Sequence, residues 1–275
     1  MESRRGVIIT HALLAIASII AVYPLLSIVL LAVNPSAAPP QGFYIPTAIS
    51  LTNFENAWVR GDFAHALLSS AIVTTSVVVL SVILSTLAGY ALGVLRFPLQ
   101  AAILGLFILG LVVPYEATVV PIYQTMKQIG LLGSYVSVIL PCTAFSVALG
   151  TVWMRGYFGS LPTSLREAAA IDGANTVQIL VWILAPMASP AIGTLATLLF
   201  LYTWNEFLLS LVLLAANPAA HTTPLALSFF AGSDYNTSPG NIAAAALMVA
   251  APVLIAYVVT QRRFVSGLLG GALKE

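Results

Sequence analysis

One short stretch holds most of the residues able to do chemistry. Residues 158–190 read FGSLPTSLREAAAIDGANTVQILVWILAPMASP, and their types and spacing write two helices joined by a sharp stop. Ser164 stands three residues before Glu167, and Asn175 three before Gln178. Each pair has the form of a capping box, in which two polar side chains satisfy the open backbone donors of a helix start. Asp172-Gly173 ends the first helix, because glycine accepts the left-handed conformation that closes one. Pro186 and Pro190 are expected to break the second, since proline removes a donor. Glu167 precedes Ala168, Ala169 and Ala170, which keep this helix thin.

A second constellation is Trp204, Asn205 and Glu206, inside an apolar stretch. An ionisable group at such depth is costly and faces a cavity or a protein partner. Two readings stay open for Glu206: it lines a pathway or gate, or it makes a structural hydrogen bond between helices. Glu116 reads as an interfacial carboxylate. Gly89 and Gly93 have the small-xxx-small spacing that lets helices approach closely. The serines and threonines of 69–86 read either as helix packing or as a polar channel wall. Gln124, Lys127 and Gln128 form a polar face that meets either water or an external protein.

Other chemistries find no residues. His11, His65 and His221 are far apart in sequence, and no pair has metal-ligand spacing. The single cysteine, Cys142, permits no internal disulfide. A phosphate-binding loop needs glycine, then lysine, then serine or threonine. The two lysines, Lys127 and Lys274, follow Met126 and Leu273, so this chain does not supply such a loop, and no catalytic residues are assigned.

The elements that must position these residues are set by composition. Of 275 residues, 60% are hydrophobic and 7% charged, against roughly 25% charged in soluble domains. Lipid is the solvent that fits. In lipid every backbone group must be satisfied internally, and long apolar runs select helices over a barrel. Six spans are expected at 7–33, 64–95, 99–115, 134–153, 190–214 and 241–260, all in one membrane domain over residues 1–275. The first lacks a small-residue cleavage pattern and reads as a retained span. With the N-terminus inside, Arg4, Arg5, Arg96, Arg155, Arg166, Arg262, Arg263 and Lys274 are cytoplasmic, while Arg60 and Lys127 are outside. Eight against two, of the ten basic residues, places both termini in the cytoplasm. Asn34 to Asp62 is an outer loop with Pro35, Pro39, Pro40 and Pro46. It closes in a capping-box signal at Thr52-Asn53-Phe54-Glu55, with Phe54, Ala57 and Trp58 on one membrane-facing side. Residues 217–240 read as a polar outer loop. The net charge of +1 gives no nucleic-acid signal.

Glu167-Ala168-Ala169, Gly173, Ile183 and Pro186, at these gaps, resemble the EAA loop of ABC importer permeases, with Ala185 where that pattern has leucine. The resemblance runs along nearly the whole chain and is to the carbohydrate branch, the smaller permease of maltose-type importers. It is carried by Leu51-Thr52-Asn53-Phe54, Ala88-Gly89-Tyr90-Ala91, Arg96-Phe97, Val120-Pro121-Ile122-Tyr123, Ile129-Gly130-Leu131, Leu161-Pro162, Ala170-Ile171-Asp172-Gly173-Ala174, Trp204-Asn205-Glu206-Phe207, Gln261-Arg262-Arg263-Phe264-Val265 and Gly267-Leu268. It implies an all-α membrane protein of the type I importer permease kind, multi-pass in a bacterial inner membrane. It implies a cytoplasmic coupling helix, with Glu167, Ala168, Ala169, Asp172, Gly173 and Pro186 docking on a separate ATPase. ATP and Mg would be bound by two such ATPase subunits, and no cofactor by this chain. The other partners implied are a second, non-identical permease, an extracytoplasmic solute-binding protein, a sugar and membrane lipid. Trp204, Asn205 and Glu206 are then candidates for the translocation path, where Trp204 could stack on a sugar face.

Three rivals are weighed against this. The same machinery can carry glycerol phosphate, an amino sugar or an oligopeptide, although phosphate favours arginines in the spans and none is apparent there. A stand-alone secondary transporter requires repeated broken spans and ion-coupling carboxylates, and one intramembrane glutamate is thin support. A purely structural membrane subunit leaves the EAA pattern unexplained.

Overall fold

A computed structural model describes residues 4–35, 44–232 and 238–272, with side chains from Gly6 to Gln261 within those ranges. Pro39, Pro40 and Lys274 lie outside it, as do the side chains of Arg4, Arg5, Arg262 and Arg263. Every regular element among the described residues is helical. In chain order these are α1 (Arg4–Ala32), α2 (Thr52–Arg60), α3 (Phe63–Val94), α4 (Gln100–Val112), a 3-10 turn at Tyr115–Thr118, α5 (Val119–Gln128), α6 (Tyr135–Gly159) and α7 (Thr163–Ile171). There follow α8 (Thr176–Met187), α9 (Ser189–Trp204), α10 (Leu208–Leu214), α11 (Thr223–Gly232) and α12 (Pro239–Ala272).

Four of these helices are long and apolar enough to cross a membrane, and the number reaches six when each of two bent pairs counts as one span. The bent pairs depart from the expected boundaries. The third stretch does not stop at Tyr115: α4 ends at Val112, the chain turns by 96° around Pro114, and helix resumes to Gln128. Proline offers no donor to carry the ladder through. The fifth stretch, 190–214, is not one helix. Its first part pairs with α8 across a 74° bend at Ala188, and helix is lost again between Trp204 and Leu208. Pro186 does not end α8 directly. A π-helical turn at Ile179–Leu184 precedes it, where Ala185 N bonds Leu180 O, and the helix runs on to Met187. The wider winding shifts which carbonyl would need the donor that proline lacks. Nor is 217–240 only a loop, because α11 occupies Thr223–Gly232.

By internal contacts the chain forms two units, residues 1–64 with 226–252 and residues 65–225 with 253–275. In the first unit, α1 ends against Asn53 of α2. The Asn53 amide donates to Ala32 O at 2.9 Å and Asn34 O at 2.8 Å, satisfying carbonyls that a helix end leaves open. Gly240 is needed there, since a Cβ on it would stand 2.6 Å from Asn53 Nδ2. The expected capping box at Thr52 does not form. Leu51 holds the cap position with no side-chain bond, and the Thr52 hydroxyl pairs with Ser50 Oγ instead. Ala57 is buried with Asn53, one turn apart, Phe54 is half-buried and Trp58 is exposed.

In the second unit, α4, α9 and α10 pack on α6. Gly89 and Gly93 bring α3 against α6: a Cβ on Gly89 would lie 2.5 Å from Met154 Cβ, and one on Gly93 2.9 Å from Arg155 O. Several hydroxyls of α3 are buried between helices. Ser69 bonds Tyr135, Ser70 bonds Thr223, and the fully buried Ser85 abuts Gly150. Two apolar clusters result. One joins Val73 and Val77 of α3 to Val119, Cys142, Leu209 and Leu213. The other joins Tyr90 to Met154, Phe158, Ala169, Leu180 and Leu195. Each cluster backs one of the two candidate sites.

Candidate functional site: a helix–bend–helix foot and a broken helix

The foot is α7, a bend and α8. Its first helix starts one residue before Ser164, with extended Pro162 at the cap position and no side-chain cap. The predicted Ser164–Glu167 box is therefore absent, because proline already fixes the backbone that leads into the helix. The far end of α7 closes by paired reverse bonds. Ala174 N donates to Ala169 O at 3.0 Å and Gly173 N to Ala170 O at 3.1 Å, with Gly173 at φ +83°. This Schellman pattern requires the left-handed residue that the sequence placed there. The next helix starts at once with the Asn175–Gln178 capping box, both bonds formed at 2.8 and 2.9 Å. Bend and cap leave no slack in the connection.

The outer side of the foot is open. Glu167, Ala168, Asp172 and Gly173 are exposed, whereas Ala169 is buried against the rest of the unit. Glu167 makes no hydrogen bond or ion pair among the described residues. Elsewhere on the foot large apolar side chains stand in the open, Ile171 of α7 being 86% and Trp182 of α8 76% exposed. Pro186 is exposed at the inner end of α8.

The inner side is tied to the helices above by bonds that sequence reasoning missed. Arg166 Nη1 donates to Val94 O at 2.8 Å, Tyr90 OH to Thr176 O at 3.2 Å, and Tyr157 OH to Met187 O at 2.7 Å. The usable signal for Arg166 was a cation able to meet the carbonyl end of a long helix.

The second site is the gap between α9 and α10. Trp204 is buried and stacked on Phe200, with centroids 5.5 Å apart. Its ring therefore presents no free face. Asn205 is exposed, and its amide donates to Leu201 O at 2.8 Å, closing the end of α9. Glu206 takes four donors. Oε1 accepts from Tyr115 OH at 2.5 Å and Leu209 N at 2.9 Å, and Oε2 from Ser210 N at 3.0 Å and Ser210 Oγ at 3.2 Å. Its carboxylate thus caps α10 and holds the 3-10 turn of the neighbouring bent pair. This is the structural reading of Glu206, and its oxygens are already engaged. The gap nevertheless borders an open cleft of about 450 Å³ lined by Phe145, Ser146, Tyr202, Asn205, Glu206 and Phe207. Glu116 lies on its rim, exposed. Gln124, Lys127 and Gln128 form an exposed polar face of α5.

Comparison with known proteins covers both sites. Residues 82–264 match the family described as binding-protein-dependent transport system inner membrane component. The chain is 34% identical over 256 residues to the trehalose transport system permease protein SugB of Mycobacterium tuberculosis, covering 92% of this chain and 93% of that one. It is 30% identical to the arabinooligosaccharides transport system permease protein AraQ of Halalkalibacterium halodurans, covering 94% of each. A crystal structure of a bacterial ABC transporter involved in the import of the acidic polysaccharide alginate contains a chain similar to this one, with a TM-score of 0.82 at 26% identity. That match covers 96% of this chain and 99% of the other. With two thirds of its length matched by one family model, and with relatives of this identity along almost its whole length, the chain belongs to the binding-protein-dependent transport system inner membrane component family.

Proposed function

We propose that this chain is one permease subunit of an ATP-driven importer that carries a sugar or oligosaccharide into the cytoplasm. The observation that carries the reading is the foot. Its outer face offers an unengaged carboxylate, Glu167, beside a thin alanine surface and exposed Ile171 and Trp182. Large apolar side chains left in the open on the same foot as an unengaged carboxylate suit a surface that a protein partner covers. Its occupant is a separate ATPase subunit, which binds ATP and Mg, and which Glu167, Ala168, Ala169, Asp172, Gly173 and Pro186 engage or position. The eight-to-two distribution of basic residues supports a cytoplasmic position for that face and both termini. The remaining partners are a second, non-identical permease, a second ATPase and an external solute-binding protein. Sugar cargo is supported by the trehalose and arabinooligosaccharide transport named for relatives at 34% and 30% identity.

For the translocation path, Asn205 remains a direct candidate, since it is exposed at the cleft. Glu206 lines the same cleft with its oxygens engaged, whereas Trp204 is buried and does not line it. The test is reconstitution of the chain with its neighbouring permease and ATPase in vesicles. Uptake of trehalose and an arabino-oligosaccharide is then measured with and without ATP and the binding protein. ATP-dependent accumulation of at least one supports the reading. A complex that hydrolyses ATP yet accumulates none of them points to another solute on the same machinery. Accumulation driven by an ion gradient without ATP would replace the importer with a secondary transporter.

A further inference from the structure

We propose that Arg166 is the positioning residue that fastens the foot to α3, so that force received at Glu167 reaches the membrane helices. The proposal rests on the importer reading for its purpose, and on the geometry alone for the attachment. Val94 is the last residue of α3, and the last carbonyls of a helix have no partner within it. They also form the negative end of the helix dipole. Arg166 places a permanent positive charge there, donating to Val94 O at 2.8 Å. A charge-assisted bond of that length is among the stronger ones available to a carbonyl.

Its place on α7 matters as much as its strength. Successive helical residues point about 100° apart, so the inward Arg166 and the outward Glu167 are adjacent on the backbone yet face different partners. Load applied to Glu167 crosses one peptide before it meets the bond to α3. The other two ties, from Tyr90 and Tyr157, hold α8. Among the described residues, Arg166 supplies the hydrogen bond from an α7 side chain to a long helix. Without it, α7 keeps Ala169 in the core and its packing on the π-helical turn of α8, contacts that are not directional as a hydrogen bond is. The α3 helix in turn runs hard against α6 at Gly89 and Gly93. A pull on its end is therefore passed to a packed pair rather than absorbed.

The experiment uses the assembled complex with Arg166→Met, which keeps length and removes the donor, and Arg166→Lys, which keeps one donor and the charge. The first readout is hydrogen exchange of the amides of 163–171 without nucleotide, which needs no sugar. Arg166→Met is expected to raise it roughly 2- to 30-fold, with Arg166→Lys near wild type. The second readout is ATP hydrolysed per sugar imported, for whichever sugar of the panel above the wild-type complex accumulates. It is expected to rise over the same rough range in Arg166→Met and to recover in Arg166→Lys. Unchanged exchange in Arg166→Met overturns the attachment. So does loss of the ATPase subunit with unchanged exchange, which would make Arg166 a docking contact. Faster exchange with an unchanged ratio overturns the transmission role. A wild-type complex that imports no sugar counts against the proposed sugar cargo, while the exchange result still decides the attachment.

Discussion

Tyr115 donates its phenolic proton to Oε1 of Glu206 across 2.5 Å. The bond links the bend of one helix pair to the break that follows another. Neither partner lies in a regular α-helix: Tyr115 opens a 3-10 turn, and Glu206 falls between α9 and α10. The same carboxylate caps α10 through Leu209 N and Ser210 N. A restart of helix in an apolar setting leaves donors that water cannot reach, and Glu206 supplies the acceptors.

Removing these bonds should therefore cost stability. Tyr115→Phe loses one inter-helix bond, worth about 0.6 kcal/mol and at most about 1.7 in membrane proteins. Glu206→Ala also loses the cap, adding about 0.5–2 kcal/mol. Glu206→Gln should recover part of the loss, because its amide oxygen still accepts. Unfolding of the purified complex in graded denaturing detergent measures all three. If Glu206→Ala unfolds like wild type yet transports poorly, the carboxylate serves the pathway and the capping account fails.

Gly173 gives a sharper test of the bend. At φ +83°, a side chain costs roughly 1–2 kcal/mol, and a β-branched one more. No heavy atom lies within 4 Å of an added Cβ, so the penalty is one of backbone alone. Gly173→Asn should then be tolerated, since asparagine visits this region, while Gly173→Val should loosen the foot. Co-purification of the ATPase subunit and sugar-stimulated hydrolysis are the readouts. Equal behaviour of the two variants would mean that the left-handed turn is not what matters.

The contrast between legible and hidden features follows from the range of the interactions. The Asn175–Gln178 box and the stop at Gly173 involve residues within a few positions, and local spacing was enough to place them. Ser164 misled because a neighbour, Pro162, set the helix start instead. The apolar stretches were readable as lengths, but the bends at Pro114 and Ala188 moved their boundaries. Arg166 and Glu206 were seen as a charge and a buried acid, yet Val94 and Tyr115, which they meet across the fold, lie 72 and 91 residues away. No periodicity encodes such a pairing. The buried stacking of Trp204 on Phe200 was hidden for another reason, since a local i, i+4 aromatic pair is also compatible with an exposed ring.

Glu167 should be needed for the ATPase rather than for the fold. It is exposed and unengaged among the described residues, so Glu167→Ala should leave the unfolding of the permease within about 0.5 kcal/mol of wild type. If its carboxylate is buried against a basic group of the ATPase, truncation should weaken that association by about 2–5 kcal/mol. Isothermal titration or pull-down with the isolated ATPase measures the difference. Unchanged association, together with unchanged uptake, would remove Glu167 from the docking face.

The arrangement across the membrane can be tested with two exposed positions on opposite sides of the proposed topology. Ala216 follows α10 and Ser164 lies in α7, both exposed, while Cys142 is buried. In a Cys142→Ser background, Ala216→Cys should react with a membrane-impermeant thiol reagent applied to whole cells. Ser164→Cys should react with it only after the membrane is opened. The basis is the eight-to-two distribution of lysine and arginine, which orients multi-pass proteins with their basic loops inside. A six-span path puts the connection after α10 and the foot on different faces, so the two positions cannot both be labelled from outside. Labelling of Ser164→Cys in intact cells, with protection of Ala216→Cys, would invert the topology. It would place the foot where no ATPase can reach it, and with that the proposed coupling would fall.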